Sequence, residues 1–255
     1  MPPKGLSIFI SMNSPFAPSG EKRFHFKQFS ITDAGCAMKI GTDGVLLGSI
    51  AATYPGERIL DVGTGCGLIA LILAQKSKGN ITAIDIDSEA VGVARQNVKD
   101  SPWPEKIKLV HAPFQDFAQS SDQKFDLVVC NPPFFHHSLL SPYAGRNIAR
   151  HSDSLPPEDL LAGVKNMLTL NGSFLLVAPA EQEELWLEAA KKKKLFCSRL
   201  LRVFPKLGVK PKRIILGFSP LKGNMISEEL TIETGRRHQF TEEYKTLTCD
   251  YYLHF

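Results

Sequence analysis

Four consecutive residues near the middle of the sequence, Asn131, Pro132, Pro133 and Phe134, combine an amide, carbonyl oxygens and an aromatic ring. They follow an apolar run, residues 125–130, that is typical of a buried parallel strand. Because proline cannot donate a hydrogen bond to a neighbouring strand, the two prolines end this strand sharply. Open α/β sheets bind ligands at the carboxyl ends of their strands, so we expect a binding site at this corner.

The composition of this corner suits a planar amino group attached to an aromatic ring. The lone pair of such a nitrogen is delocalised, which makes it a poor nucleophile. The side-chain oxygen of Asn131 and the carbonyl of Pro132 can accept its two hydrogens and free the lone pair for attack on a methyl donor. The ring of Phe134 can stack on the base. The alternative is a Pro-Pro turn in which Asn131 only satisfies loop backbone.

A glycine-rich loop, residues 63–67, forms a second candidate site between a predicted strand and an apolar helix. Glycines let the backbone approach a ligand closely. Asp85 ends the next predicted strand about 20 residues further on, where a carboxylate can accept hydrogen bonds from both hydroxyls of a ribose. Asp87 is the adjacent alternative, although its position is more typical of a helix N-terminus. The pattern indicates a nucleotide-ribose site.

The identity of the cofactor follows from Asp61, which immediately precedes the glycine loop. A carboxylate at this position repels a pyrophosphate and attracts an ammonium group. The sequence therefore favours S-adenosylmethionine, which carries an α-amino group and a sulfonium, over NAD. The alternative is an ordinary Rossmann turn in which Asp61 bonds loop amides.

Alternating strand and helix patterns surround these two motifs. Strands are predicted at residues 58–62, 81–85, 107–111, 125–130, 173–178, 195–204, 213–219 and near 229–232, and helices at 45–52, 68–74, 88–100, 155–170, 181–194 and 241–252. No helix separates 195–204 from 213–219, so these two strands are expected to pair as antiparallel neighbours. The alternation predicts an α/β fold with a mainly parallel, doubly wound sheet and one antiparallel strand.

Length and composition are consistent with one globular domain and a short tail. The chain has 255 residues, of which 43% are hydrophobic and 22% charged. Residues 1–20 are rich in Pro, Ser and Gly and are expected to be disordered or to precede the true start, whereas residues 21–255 form the domain. No apolar run approaches the roughly 20 residues that span a bilayer. We therefore expect a cytoplasmic protein without membrane contact.

Cysteine usage and net charge limit the classes of partner. The five cysteines are dispersed without a C-x-x-C pair, which predicts neither a disulfide framework nor a zinc site. The formal net charge of +4 is compatible with a phosphate-rich partner.

The chain resembles the class I S-adenosylmethionine-dependent amino-methyltransferases. Within them it is most similar to the bacterial tRNA adenine-N6 methyltransferases that modify adenosine 37 of valine tRNA. The resemblance extends from about residue 24 to the C-terminus and is carried by residues 26–29, 36–48, 63–67, 131–134 and 247–253. DNA, rRNA and protein-glutamine methyltransferases share the 131–134 corner alone. The segment 36–48, which reads Cys-Ala-Met-Lys-Ile-Gly-Thr-Asp-Gly-Val-Leu-Leu-Gly, is more discriminating.

The resemblance implies a Rossmann-like sheet of seven strands with helices on both faces, and S-adenosylmethionine as the cofactor. The residues that it assigns to cofactor binding are Thr42, Asp43, Asp61, Gly63, Gly65, Asp85 and Phe114. Asp61 and the two glycines line the methionine end, Asp85 holds the ribose, and Thr42 and Asp43 close over the methyl donor. Residues 21–57 form a small segment that caps cofactor and substrate.

The resemblance also leaves one contact open. Relatives often carry an acidic residue after the third strand, facing the cofactor adenine, and Pro113 occupies that position here. Phe114 is expected to pack on the adenine, with Asp116 as the second choice of acceptor.

The residues assigned to catalysis are Asn131, Pro132, Pro133 and Phe134, with the target base flipped out of the tRNA anticodon loop.

The remaining polar residues are expected to contact RNA or solvent. The histidines after the corner are His136, His137 and His151. Methyl transfer requires none of them as a general base with an adjusted pKa, because the ammonium product loses its proton to water. The basic loop 206–213 and the loop after Phe134 are expected to contact backbone phosphates. Lysines 191–194 form a solvated helix end.

Two other functions stay open at this point. One is methylation of a guanine N2 in rRNA or of a protein glutamine with the same corner. The other is tRNA binding without catalysis, which the acidic residues of the cofactor site and Asn131 argue against. We expect a monomer without a metal ion.

Overall fold

The computed structural model of the protein describes residues 22–133 and 155–255, which form an α/β fold. The strands are β1 Phe24–His25, β2 Ser30–Ile31, β3 Arg58–Val62, β4 Asn80–Asp85, β5 Ile107–His111, β6 Phe125–Cys130, β7 Leu168–Pro179, β8 Phe196–Lys206, β9 Arg213–Ser219 and β10 Ile226–Glu233. The helices are α1 Thr42–Ala51, α2 Leu68–Lys76, α3 Ser88–Lys99, α4 Phe114–Ser120, α5 Pro157–Met167, α6 Glu183–Lys192 and α7 Glu242–Thr248. Short 3₁₀ turns lie at Pro104–Lys106 and Ala180–Gln182. In these ranges no helix is long and apolar enough to cross a membrane.

Eight of the described strands form one sheet in the order β10-β8-β9-β7-β6-β3-β4-β5. Every neighbouring pair is parallel except the two pairs that β9 makes with β7 and β8. The prediction of a mostly parallel sheet with one antiparallel strand is confirmed, as is the antiparallel pairing of β8 with β9.

The expected count of seven strands is wrong by one, because β10 joins the sheet. It pairs in parallel with β8, from Ile226 opposite Arg199 to Glu233 opposite Lys206. Leu230 is its one buried residue, and the first four side chains are exposed. The sequence predicts a strand near residues 229–232, but with so little apolar alternation it does not indicate that this strand joins the main sheet.

Side chains on the two faces of the sheet build two separate apolar cores. Along β3, Ile59 belongs to one core and Leu60 to the other, and along β6 Leu127 and Val128 alternate in the same way. Helices α1 and α2 pack on the first face, whereas α4, α5 and α6 pack on the second. The predicted helices on both faces are therefore confirmed.

The boundary between α5 and β7 differs from the prediction. The helix ends at Met167, and Leu168 already pairs with Phe125. The next paired residue on β7 is Ser173, so residues 169–172 form a bulge rather than a helix end. A Cβ on Gly172 would lie 3.0 Å from the carbonyl oxygen of Phe125, which explains the glycine at this point.

A buried amide attaches the N-terminal hairpin to the sheet domain. Asn97 on α3 is fully buried, and its Nδ2 donates to the carbonyls of Thr32 at 2.8 Å and Cys66 at 2.9 Å. Its Oδ1 accepts from the backbone N–H of Thr32 at 3.0 Å. One side chain thus fixes the segment after β2 against the glycine loop.

We predict that Asn97→Ala lowers the free energy of unfolding by about 2–4 kcal/mol, because it leaves buried backbone groups unpaired. Urea denaturation measures the change. Gln96→Ala is the matched control, since Gln96 is the preceding residue and bonds only the exposed Asp100 at 2.8 Å. Equal stability of the two variants would contradict the role given to Asn97.

Candidate active site

A cavity of about 920 Å³ opens at the carboxyl edge of the sheet. Its first wall consists of the glycine loop, the segment 38–44 and Asn131. Its second wall comes from the ends of β8 and β10, the connections that follow them and the start of β9. The volume lies in the range that small-molecule and cofactor sites occupy. The two motifs identified in the sequence therefore share one cavity.

The glycine loop forms an open cradle after β3. The φ angles of Gly63, Gly65 and Gly67 are +69°, +54° and +86°, a left-handed region that glycine adopts without strain. A Cβ on Gly63 or Gly65 would meet no atom within 4 Å, so space is available in front of both residues. The backbone N–H groups of Gly63 and Thr64 donate to the carbonyl of Ile84, each at 2.9 Å, which fixes the loop on β4.

Asp61 lies directly beneath this loop and is fully buried. Its Oδ2 accepts a hydrogen bond from the hydroxyl of Thr64 at 2.7 Å. Its Oδ1 has no hydrogen-bond partner among the described residues. Burial raises the pKa of Asp61 to about 7, helped by the nearby charge of Asp85 and opposed by hydrogen bonding from the Thr64 hydroxyl and the Ala70 backbone. A buried, unpartnered carboxylate oxygen fits an incoming ammonium group.

Asp85 and Asp87, the two candidates for the ribose, have different surroundings. Asp85 ends β4, and its oxygens accept from the backbone N–H of Gly65 at 2.7 Å and of Asp87 at 3.0 Å. Asp87 caps α3 by accepting from the N–H groups of Glu89 and Ala90. Asp85 is thus tied to the glycine loop, and Asp87 serves the helix.

The Asn131 corner faces the same cavity from the next strand. Val62 at the end of β3 lies opposite Cys130 at the end of β6, so the glycine loop and Asn131 leave the sheet side by side. The Nδ2 of Asn131 donates to the sulfur of Met38 at 3.5 Å. Its Oδ1 is buried and lacks a hydrogen-bond partner among the described residues.

The rest of the corner is only partly described. Pro132 is buried and Pro133 is exposed. Phe134 and the histidines at 136, 137 and 151 lie outside the described residues.

Thr42 and Asp43 line the cavity from the first turn of α1. The helix begins three residues earlier than predicted and packs closely on α2. A Cβ on Gly44 would lie 2.9 Å from Leu68, and one on Gly48 would lie 2.9 Å from Ile72. The four-residue spacing of these two glycines thus brings the start of α1 against the glycine loop.

Phe114 does not line the cavity. It is 5% exposed and lies in the core beneath α5, where a Cβ on Gly163 would come within 2.5 Å of its ring. The ring points there because Phe114 begins α4, a helix that the sequence analysis missed. This placement does not support the expected contact with adenine. Pro113 precedes the helix, and Asp116 is exposed in its first turn.

The second wall of the cavity is basic. Its charged and titratable residues are Lys206, Lys212, Arg213, Glu233, Arg237 and His238. The Nε of Arg213 donates to Asp43 at 2.8 Å, an ion pair that connects the wall with α1. Sequence reasoning identified the basic loop 206–213 but not the placement of Met38 or His238, whose side chains carry no local pattern. In the described ranges no group of three or more His, Cys, Asp or Glu side chains is placed to hold a metal ion.

Comparisons with known proteins find a matching family and similar proteins. A family model described as "Methyltransferase small domain" matches residues 36–190. A protein of Bacteroides thetaiotaomicron named tRNA1(Val) (adenine(37)-N6)-methyltransferase is 48% identical over 233 residues, which cover 91% of this chain and 97% of that protein. Two further proteins carry the same name. The one from Bacteroides fragilis is 41% identical over 95% of this chain and 99% of that protein. The one from Trichodesmium erythraeum is 39% identical over 92% of this chain and 100% of that protein.

Solved structures share the fold. A predicted O-methyltransferase from Agrobacterium tumefaciens superposes with a TM-score of 0.66 and 18% identity, over 82% of this chain and 96% of that chain. A ribosomal protein L11 methylase from Lactobacillus delbrueckii superposes with a TM-score of 0.51 and 18% identity, over 77% of this chain and 98% of that chain.

We predict that Asp61→Asn removes the loss of stability that Asp61 causes as the pH rises toward neutrality. The folded-state pKa of Asp61 is raised to about 7, above the value of about 3.9 for an unfolded chain. The folded wild type therefore holds more protons than the unfolded chain between these values, and Asp61 makes stability fall as pH rises through this window. The free energy of unfolding of the cofactor-free variant, relative to wild type, should rise by about 2–4 kcal/mol between pH 4 and pH 7.5.

Urea denaturation across this pH range gives the measurement. Asp116→Asn, an exposed carboxylate outside the cavity, should keep the pH dependence of the wild type. A variant curve parallel to that of the wild type would show that Asp61 does not titrate as described.

Proposed function

The chain belongs to the family of bacterial tRNA1(Val) (adenine(37)-N6)-methyltransferases, and on that premise we propose that the cavity at the carboxyl edge of its sheet is the site of methyl transfer. The protein is an S-adenosylmethionine-dependent enzyme that methylates N6 of an adenine in tRNA. The observation that carries the assignment of the site is the pair of buried, unpartnered oxygens on Asp61 and Asn131, of which Asn131 lines the cavity and Asp61 lies beneath the glycine loop that lines it.

The residues of the first wall fit S-adenosylmethionine. Asp61 would hold its ammonium group through the free Oδ1, and the open backbone at Gly63 and Gly65 would pass along its methionine part. Asp85 would accept from the ribose hydroxyls, because each carboxylate oxygen has a second lone pair beyond the backbone N–H that it already accepts. When bound, S-adenosylmethionine supplies an electrophilic methyl group.

Asn131 and Pro132 would activate the target nitrogen. The Oδ1 of Asn131 and the carbonyl of Pro132 would accept the two hydrogens of the adenine amine, which localises the lone pair on the nitrogen. The two prolines lack N–H groups, so no backbone donor at these positions competes for the acceptors. Phe134 would stack on the base, and the proton released from the methylated nitrogen would pass to solvent. Catalysis then rests on positioning and hydrogen bonding.

The basic wall suits the RNA backbone. Lys206, Lys212, Arg237 and His238 face the glycine loop across the cavity. Phosphate contacts there would hold the anticodon loop while the target adenine is turned out of its stack into the cavity. Thr42 and Asp43 would close over the methyl donor from α1.

Three further assignments complete the proposal. We place the enzyme in the cytoplasm with its tRNA substrate. We also propose that the enzyme acts as a monomer and that the segment 21–57 caps the cavity. No described residue favours rRNA, a protein glutamine or noncatalytic binding over tRNA adenine.

Methyl transfer to purified valine tRNA tests the function. The full chain is incubated with labelled S-adenosylmethionine, and the nucleosides are identified by mass spectrometry. We expect N6-methyladenosine at position 37. Label in guanosine, or in protein alone, would refute the assignment.

We predict that Asn131 and Asp85 affect different kinetic quantities. Asn131→Ala should lower kcat by about 100-fold or more, as expected for the loss of one group that binds the transition state. Its affinity for S-adenosylmethionine, measured by calorimetry, should change by no more than about twofold. Asp85→Ala should weaken that affinity by about tenfold or more, because two ribose hydrogen bonds are lost.

The two variants serve as controls for each other, since each retains the other's side chain. An Asn131→Ala enzyme with normal kcat would remove Asn131 from the chemistry. Normal cofactor affinity of Asp85→Ala would remove Asp85 from the ribose site.

A further inference from the structure

Met38 contacts the side chain to which the proposed function assigns the chemistry. Met38 and Asn131 both line the cavity, and the Nδ2 of Asn131 donates to the Met38 sulfur at 3.5 Å. Among the described residues this is the one hydrogen bond of the Asn131 side chain, because its Oδ1 has no partner there. The orientation of the amide therefore depends on Met38.

The backbone around Met38 is held by Asp33. The Oδ2 of Asp33 accepts from the N–H of Ile40 at 2.9 Å, and its carbonyl accepts from the Nζ of Lys39 at 2.8 Å. Asp33 also pairs with Lys39 through its Oδ1 at 3.7 Å. These contacts fix the two residues that follow Met38, although the Met38 side chain itself is 40% exposed. A side chain at this exposure does not serve mainly as core packing.

The chemistry of the thioether selects one orientation of the amide. Sulfur in methionine accepts hydrogen bonds and donates none. If the Asn131 amide were turned over, its Oδ1 would face this sulfur, two acceptors would meet, and Nδ2 would point at the substrate amine, which is itself a donor. In the observed orientation Nδ2 is used by Met38, and Oδ1 remains for the amine.

We propose that Met38 is a positioning residue, whose thioether holds the Asn131 amide with Oδ1 available to accept a hydrogen of the adenine amine. This inference rests on the proposed role of Asn131 in methyl transfer. It assigns a task to a residue of the 36–48 segment that lies 93 positions from Asn131 in the sequence. Because a thioether is a weak acceptor, its contribution is a modest factor in rate.

Met38→Leu tests the proposal, since leucine has a similar volume and no acceptor. At saturating tRNA and S-adenosylmethionine we expect kcat to fall by about three- to tenfold, as for the loss of one weak hydrogen bond, with unchanged cofactor affinity. Met38→Gln restores an acceptor through its Oε1 and should recover most of the lost rate. Met225→Leu, at a 50% exposed methionine outside the cavity lining, is the matched control and should leave kcat unchanged.

The Asn131→Ala background separates positioning from a general structural effect. If Met38 acts through the Asn131 amide, Met38→Leu should cause no further loss in single-turnover rate when that amide is absent. An equal loss in both backgrounds, a normal kcat of Met38→Leu, or failure of glutamine to restore the rate would each overturn the proposal. The Asn131→Ala variant alone decides whether the proposed role of Asn131 holds, and methyl transfer to tRNA by the wild type decides whether the proposed function holds, so these failures can be distinguished from failure of the Met38 proposal.

Discussion

Parallel pairing between β3 and β6 is the constraint on which the site depends. The register that sets Val62 opposite Cys130 makes both chains leave the sheet at one edge. The glycine loop continues from β3 and Asn131 from β6, so a backbone loop and an amide from distant parts of the sequence line one cavity, and the Asp61 carboxylate lies beneath the loop. A shift of this register by one residue would turn every alternating side chain of β6 toward the opposite core. Packing of the two apolar cores therefore fixes the register of β3 with β6, and with it the relative positions of the glycine loop and Asn131.

Asp61 and Asn131 each carry a buried side-chain oxygen that has no hydrogen-bond partner in the described part of the chain. Burial of an unpaired polar atom costs free energy, which a protein tolerates where a ligand later supplies the missing donor. For Asp61 the cost is visible as a raised pKa of about 7. An ammonium group at Oδ1 would stabilise the carboxylate, and an amine at Asn131 would satisfy the amide. The two unpaired oxygens that lower the stability of the ligand-free protein would thus favour the binding of cofactor and substrate.

The sequence indicates the parts of the site whose signals are local. The corner at residues 131–134, the glycine loop and the two candidates Asp85 and Asp87 are short patterns. The structure places Asn131 and the glycine loop at one cavity. Asp87 as a helix cap was also indicated by its position alone. The single antiparallel strand followed from a connection without a helix.

The sequence is less informative where distant contacts decide the structure. Phe114 faces the core because α4 packs on α5, and β10 extends the sheet although its first four side chains are exposed. The contact of Met38 with Asn131 joins residues 93 positions apart. Patterns within a short window cannot report such contacts, because the partner that determines them lies elsewhere in the chain.

A crystal structure of the full chain with S-adenosylhomocysteine and adenosine is the most direct measurement of the central arrangement. We expect the ammonium group of the cofactor product within about 3 Å of Asp61 Oδ1, its sulfur directed toward the Asn131 corner, and the adenosine amine hydrogen-bonded to Asn131 Oδ1. A cofactor bound away from the glycine loop, or an adenosine amine that contacts neither Asn131 nor Pro132, would contradict it.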